Sequence, residues 1–120
     1  MIRIEAIIKP ERVAHVSDAL VNAGCQGFFY HNVTGQGRQR GVEVFVGRGG
    51  QMASRSSVPK TIITTIVADE MQAKVIDAIV GAARSAEGGE IGDGKIFVSP
   101  VSDAIRVSDG QHGGDAILTS

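Results

Sequence analysis

The hexapeptide Val16-Ser17-Asp18-Ala19-Leu20-Val21 recurs as Val75-Ile76-Asp77-Ala78-Ile79-Val80, and this repeat decides the predicted fold. Both copies keep apolar residues at helical spacing, so each predicts an amphipathic helix. An apolar stretch precedes each helix and another follows it, which predicts two strand–helix–strand units joined by a long arm. This order predicts an α+β fold, the ferredoxin-like double βαβ arrangement, with an antiparallel sheet and both helices on one of its faces.

Four strands are predicted around these helices. They cover Ile2 to Ile8, Gly27 to Thr34, Thr61 to Val67 and Lys95 to Val98. The strands carry apolar residues on both faces, yet the sequence offers no third helix to cover the second face of the sheet. We therefore predict that self-association of the chain covers the second face of the sheet.

The ends of the helices have their own sequence signals. Pro10 suits the first position of the first helix, where a backbone N–H is not needed, and Gly24 can end that helix in the left-handed conformation. Asp69 and Gln72 are three residues apart and predict a capping box at the start of the second helix.

Composition narrows the class of protein. A chain of 120 residues, 42% of them hydrophobic, is long enough for a single domain with a core, residues 1–120. The net charge of −1 leaves no basic surplus to attract nucleic acids or membranes. Cys25 is the only cysteine, which excludes an internal disulfide and cysteine-rich zinc or iron–sulfur sites. No stretch resembles a signal peptide or a transmembrane helix, so we expect a soluble, cytoplasmic protein.

The arm between the two units, about residues 37–58, is rich in glycine and arginine. Its basic residues are Arg38, Arg40, Arg48 and Arg55, and Glu43 is the only acid among them. A solvated loop explains this bias, and so does an arm that meets an anionic ligand or a protein partner. The polar tail, about residues 109–120, is predicted to be mobile in the free protein.

The stretch Ile91-Gly92-Asp93-Gly94-Lys95 leads into the last strand and suggests a phosphate site. Gly92 and Gly94 can adopt positive φ, so their backbone N–H groups can converge on an anion beside the charge of Lys95. An ordinary turn explains the same residues, with Asp93 as a turn-stabilising side chain rather than a catalytic base.

Four motifs, in this order and spacing, resemble those of the PII signal-transduction proteins, which regulate nitrogen and carbon metabolism. They are Ala6-Ile7-Ile8-Lys9-Pro10, Gly35-Gln36-Gly37-Arg38-Gln39-Arg40-Gly41, Pro59-Lys60 and Ile91-Gly92-Asp93-Gly94-Lys95-Ile96-Phe97-Val98. The resemblance covers nearly the whole chain. It implies a homotrimer that binds ATP or ADP in the clefts between subunits and docks on a target protein, a membrane transporter or a metabolic enzyme, through a protruding T-loop. The T-loop corresponds to the arm.

The resemblance also implies roles for individual residues. The phosphate-binding set is Gly92, Asp93, Gly94, Lys95, Arg106 and Arg38, and the adenine-binding set is Ile7, Phe29, Thr64, Thr65 and Ile66. In the effector site, Gln39 would coordinate Mg²⁺ together with ATP, and Lys60 would pair with a carboxylate of 2-oxoglutarate. An amide oxygen is a suitable hard ligand for Mg²⁺, and an ammonium group is a compact partner for a carboxylate. For Lys60, a role in protecting a strand edge is the alternative.

The sequence departs from the family pattern in three places that affect function. The arm is slightly longer than usual and its Gly47-Arg48-Gly49-Gly50 run is atypical, which limits the transfer of the family's docking partners to this chain. Gln51 lies near the position of the tyrosine that receives a nucleotidyl modification, and Tyr30 is the only tyrosine, so we expect that modification to be absent. Ser108 replaces a second C-terminal arginine, which removes one phosphate contact and favours a divergent branch with a weaker preference for ATP over ADP or AMP.

The leading hypothesis is therefore a nucleotide-sensing regulator that is not an enzyme. One alternative is a slow ATPase that uses the same cleft, and another is a sensor of a different metabolite with a preference for ADP or AMP. An RNA-binding module of the same fold is disfavoured, because it needs exposed aromatic residues on a basic sheet.

Overall fold

A computed structural model describes residues 1–38, 44–46, 51–53, 55–85 and 88–118 of the chain. The first unit contains β1 (Ile2–Ile8), α1 (Val13–Asn22) and β2 (Phe29–Arg38), and two short strands follow it, β3 (Val44–Val46) and β4 (Gln51–Ala53). The second unit contains β5 (Arg55–Val67), α2 (Gln72–Ala83) and β6 (Gly94–Pro100).

The main sheet has four antiparallel strands in the order β2-β5-β1-β6. β1 lies in the interior of the sheet, where Ile8 pairs with Thr61 of β5 and with Gly94 of β6. The two helices pack on each other and against one face of this sheet. The predicted ferredoxin-like double βαβ fold is therefore confirmed.

The core lies between the helices and that face of the sheet. The side chains that point into it alternate along β1 and β5 and recur at helical spacing on α1 and α2, as the sequence pattern predicts. The core residues are Ile2, Ile4, Ala6, Ile8, Val16, Leu20, Ile63, Val67, Val75, Ile79 and Ala83. The repeat thus supplies equivalent core positions in both units, Val16 and Leu20 in one and Val75 and Ile79 in the other.

The helix starts differ from the sequence prediction in one respect. Pro10 begins a 3-10 turn that leads directly into α1, and Gly24 ends that helix with φ +92°, as predicted. The capping box is wrong, because Asp69 begins a second 3-10 turn and makes no side-chain capping bond. Its carboxylate lies 3.0 Å from the α-amino group of Met1, so an ion pair replaces the cap.

β2 and β5 are longer than predicted. Their pairing runs from Phe29 with Thr64 to Arg38 with Arg55, so the two strands extend into the arm as one hairpin. The Gly- and Ser-rich composition there predicted a loop, but cross-strand pairing satisfies its backbone groups, and Pro59 is accommodated opposite Thr34. β3 and β4 form a separate two-stranded sheet within the arm.

The chain after β6 forms a compact turn structure. Ile105 makes an isolated bridge with His112, and residues Gly113–Ile117 form a 3-10 helix. The mobility expected for the tail stays a prediction. Among the helices of the described residues, none is long and apolar enough to cross a membrane.

Candidate functional site

The predicted phosphate turn has the backbone geometry that its glycines allow. Gly92 has φ +96° and Gly94 has φ +126°. A Cβ atom on Gly94 would lie 1.8 Å from the carbonyl oxygen of Ile7, so the turn packs directly against the end of β1. Glycine is required at this position both for its conformation and for the close approach of two backbones.

The carboxylate of Asp93 is held inside the turn. It accepts hydrogen bonds from the Ser85 hydroxyl at 2.7 Å and from the backbone N–H of Glu90 at 2.7 Å. Lys9 forms an ion pair with it at 3.2 Å. The hydrogen bond from Ser85 is the main reason that the pKa of Asp93 lies well below its usual range. These contacts confirm the turn-stabilising role, since Asp93 stays ionised and its charge is already partnered.

Lys60 reaches the same turn from the other side. Its ammonium group donates a hydrogen bond to the carbonyl oxygen of Gly92. The stem of Lys60 passes Gly35 on the neighbouring strand, where an added Cβ would lie 3.4 Å from Lys60 Cγ. The base of the arm and the predicted phosphate turn are therefore in direct contact.

Arg106 lies away from the turn, in the segment that follows β6. Its guanidinium donates to the Asp109 carboxylate at 2.7 Å and to the carbonyl oxygen of Asp115. β6 begins at Gly94 opposite Ile8 and ends at Pro100 opposite Ile2, so the turn and the segment with Arg106 adjoin opposite ends of this strand. A strand of this length spans about 20 Å.

The predicted adenine residues lie on both faces of the sheet. Phe29 pairs with Thr64, and the side chains of Ile7 and Ile66 share their face, the one without helices. Phe29 is 62% exposed there. Thr65 points to the opposite, helix-covered face, where its hydroxyl donates to the Gly27 carbonyl at 2.8 Å. The structure therefore brings four of the five side chains to one face and leaves the Thr65 hydroxyl on the other.

Two of the predicted residues remain, Arg38 and Gln39. Arg38 is the last residue of β2, opposite Arg55, and Gln39 lies outside the described residues. The prediction of Mg²⁺ at Gln39 therefore stays a prediction. Within the described ranges, no three histidine, cysteine, aspartate or glutamate side chains lie close enough together to hold a metal ion.

A cleft of about 670 Å³ opens beside the turn, between α2 and β6. Its walls include Ile76, Ile79 and Ile96, which face the helix-covered side of the sheet. Asp93, Gly94 and Lys95 of the predicted phosphate turn also line this cleft, whereas four of the five predicted adenine side chains lie on the other face of the sheet.

Two residues of the turn network were missed by sequence reasoning. From the sequence, Lys9 is named only as part of the motif Ala6-Ile7-Ile8-Lys9-Pro10, without a role in the site, and Ser85 is given no role. Lys9 Nζ lies 3.3 Å from Ser85 Oγ although 76 positions separate the two residues in sequence. A contact between residues so far apart in the chain produces no local pattern in the sequence. The Lys-Pro motif before α1 was the one signal that could have pointed to Lys9.

Comparison with known proteins identifies the family. The family model described as "Nitrogen regulatory protein P-II" matches residues 1–111. Proteins of that name from Cereibacter sphaeroides and Rhodobacter capsulatus are 43% and 45% identical over 118 residues, in each case 98% of this chain and 100% of the relative.

A solved structure, Arabidopsis thaliana PII bound to citrate, matches with a TM-score of 0.76 and 34% identity over 99% of this chain and 91% of that chain. The resemblance drawn from the four sequence motifs is thereby confirmed. The chain belongs to the nitrogen regulatory protein P-II family of signal-transduction regulators.

Proposed function

We propose that the protein senses adenine nucleotides together with a small carboxylate effector and reports their binding through its arm to a target protein in the cytoplasm. ATP or ADP would be held by its phosphates at the Gly92–Lys95 turn. The effector, such as 2-oxoglutarate, would lie between that turn and Lys60. The target would be a membrane transporter or a metabolic enzyme of nitrogen or carbon metabolism.

One contact carries this proposal, the hydrogen bond from the Lys60 ammonium group to the Gly92 carbonyl. Lys60 lies at the base of the arm, and Gly92 lies in the predicted phosphate turn. An anionic effector that takes Lys60 as its partner would loosen this link, so binding at the turn and the conformation of the arm would be coupled. Coupling of this kind acts in both directions.

The charges around the turn suit a phosphate group. Lys60 and Lys95 contribute cations, and the carboxylate of Asp93 is partnered by Lys9 and Ser85 rather than turned toward an incoming anion. Mg²⁺ bound with ATP would neutralise phosphate charge, and Gln39 would add an amide ligand. Asp93 would shape the turn, and Thr65 would contact the adenine through its backbone.

The solved Arabidopsis thaliana PII is bound to citrate, and this supports a carboxylate effector because citrate and 2-oxoglutarate both carry carboxylate groups. Lys60 supplies a positive charge at the position where the family resemblance implies a partner for the effector's carboxylate.

We further propose that the functional unit is a homotrimer with each nucleotide site shared between neighbouring subunits. Two features support this arrangement. The sheet face without helices exposes aromatic residues, with Phe29 62% and Phe97 54% exposed. Arg106 follows the end of β6 that is remote from the turn, so a phosphate contact from Arg106 is most easily made to the turn of another subunit.

Calorimetric titration with ATP, ADP and AMP, each with Mg²⁺ and with or without 2-oxoglutarate, tests the proposal. We expect nucleotide binding, with 2-oxoglutarate binding only alongside Mg-ATP. In K60M, 2-oxoglutarate affinity should fall by about tenfold or more, since a charge-assisted contact is lost. K74M removes an exposed lysine of α2 and should leave both affinities unchanged. If none of the three nucleotides binds, the proposal is contradicted. A preference for ADP or AMP over ATP would favour the divergent sensor implied by Ser108.

A further inference from the structure

We propose that Lys9 and Ser85 are positioning residues of the phosphate turn, acting through the carboxylate of Asp93. This inference rests on the proposed function and concerns how the nucleotide site is built. It assigns to two residues outside the turn the task of holding the Gly92 and Gly94 backbone in the conformation that receives a phosphate.

Ser85 makes the closest contacts. Its hydroxyl donates to Asp93 Oδ1 at 2.7 Å, and its backbone N–H donates to Asp93 Oδ2 at 3.3 Å. Ser85 lies two residues beyond the last residue of α2, Ala83. The end of α2 and the turn are therefore joined through both carboxylate oxygens of Asp93.

Lys9 completes the arrangement from the end of β1. Its ammonium group lies 3.2 Å from Asp93 Oδ1, 3.3 Å from Ser85 Oγ and 3.7 Å from Glu90 Oε2. The Lys9 side chain is only 22% exposed and that of Asp93 only 14%, so solvent screens this pair less than an open surface pair. One cation thus touches the strand end, the helix end and the turn.

The Asp93 carboxylate also fixes the backbone of the turn itself. Oδ2 accepts the N–H of Glu90, and the N–H of Asp93 donates to the Glu90 carbonyl at 3.2 Å. These bonds close the loop between Glu90 and Asp93, and Gly92 lies inside it. If Asp93 loses its partners, the positive-φ glycines on either side lose the restraint that selects one conformation from the many open to glycine.

The contacts of Asp93 also affect the repulsion between its carboxylate and a bound phosphate. A free carboxylate beside a phosphate would repel it. Here the charged groups near the carboxylate are Lys9, the residue after β1, and Glu90 from the turn, and Arg84 lies close by, beside Gly89. Lys9 therefore offsets part of this repulsion as well as holding the turn.

The test compares S85A with wild type in three measurements. The affinity for ATP should fall by about tenfold, the factor expected when one hydrogen bond to a charged group is lost. The pKa of the Asp93 carboxyl, followed by ¹³C NMR, should rise toward the ordinary aspartate value of about 3.9. Amide hydrogen exchange of Gly92 and Gly94 should become faster in the ligand-free protein. S85T retains the hydroxyl and should restore all three.

K9M provides a second, independent variant and should weaken ATP binding in the same direction. Its matched control is K74M, and the control for S85A is S102A, since Ser102 is exposed in the segment after β6. Neither control should change ATP affinity. Far-UV circular dichroism and the urea midpoint establish that each variant is folded.

The outcomes separate this inference from the proposed function. If wild type binds ATP and S85A binds it equally well with an unchanged Asp93 pKa, the positioning role is overturned and the proposed function stands. If wild type binds no nucleotide, the proposed function fails and the positioning role fails with it. If S85A weakens binding but S85T does not restore it, the hydroxyl is not the positioning group.

Discussion

Gly94 is the residue on which the predicted phosphate turn most depends. Its backbone has φ +126°, and its Cα lies so close to β1 that a Cβ would sit 1.8 Å from the Ile7 carbonyl oxygen and 3.2 Å from the Ile8 Cα. Both neighbours are backbone atoms, so the clash cannot be relieved by rotating a side chain. The sequence predicted the positive φ from the Gly-Asp-Gly pattern, but the contact with Ile7 follows only from strand pairing.

We expect G94A to destabilise the fold by about 3 kcal/mol or more, because the backbone of β1 or β6 must move. Gly110 is the matched control, since it also has positive φ, +71°, but nothing lies within 4 Å of its Cβ position. G110A should cost only about 1 kcal/mol, the conformational cost alone. Urea unfolding measures both values, and equal losses for the two variants would contradict the importance of the contact.

Other residue-scale features show where sequence reasoning reaches its limit. The turn-stabilising role of Asp93 was foreseen, because its hydrogen bond to Glu90 is local. Its bonds to Ser85 and Lys9 join the ends of three elements and have no sequence signal. The predicted capping box at Asp69 failed for the same reason, since the α-amino group of Met1 offers that carboxylate a partner from a distant position.

At the scale of elements, β2 and β5 show how tertiary pairing overrides local composition. Gly35, Gln36, Ser56 and Ser57 have weak strand propensity, yet all four lie in the ladder of these strands. The cross-strand bond from the Gln36 amide to the Ser57 hydroxyl, 3.2 Å, supports this part of the pairing. The pairing of β2 with β5 holds Lys60 next to the Gly92 turn. A loop at this position would not hold it there.

The sheet face without helices gives an element-scale prediction about assembly. Phe29, Thr64, Glu5 and Phe97 form one row across all four strands of this face. We expect wild type to have three times the 12.5 kDa mass of one chain and F97D to dissociate, because the substitution replaces an exposed apolar side chain with a second carboxylate beside Glu5.

Light scattering coupled to gel filtration measures these masses. The control is V21D, because Val21 is 62% exposed on α1, away from the sheet. It should leave the assembly intact. A single-chain mass for wild type, or an F97D protein with the wild-type mass, would contradict the assembly proposed for this face.

For the whole molecule, the topology was predictable and the assembly of the site was not. The hexapeptide repeat fixes two βαβ units, and the burial of equivalent positions in α1 and α2 follows from its periodicity. In the proposed homotrimer, the relation of Arg106 to the Gly92–Lys95 turn would depend on how copies of the chain meet, and a single sequence contains no direct signal for that geometry.

The central claim is that the Gly92–Lys95 turn binds nucleotide phosphates, and an NMR titration tests it most directly. Amide ¹H–¹⁵N shifts of ¹⁵N-labelled protein are followed as Mg-ATP is added, and then as adenosine is added to a second sample. We expect the largest changes at Gly92, Gly94 and Lys95 with ATP, and much smaller changes there with adenosine, which has no phosphate. Turn amides that ATP leaves unmoved, or that adenosine moves equally, would contradict the claim.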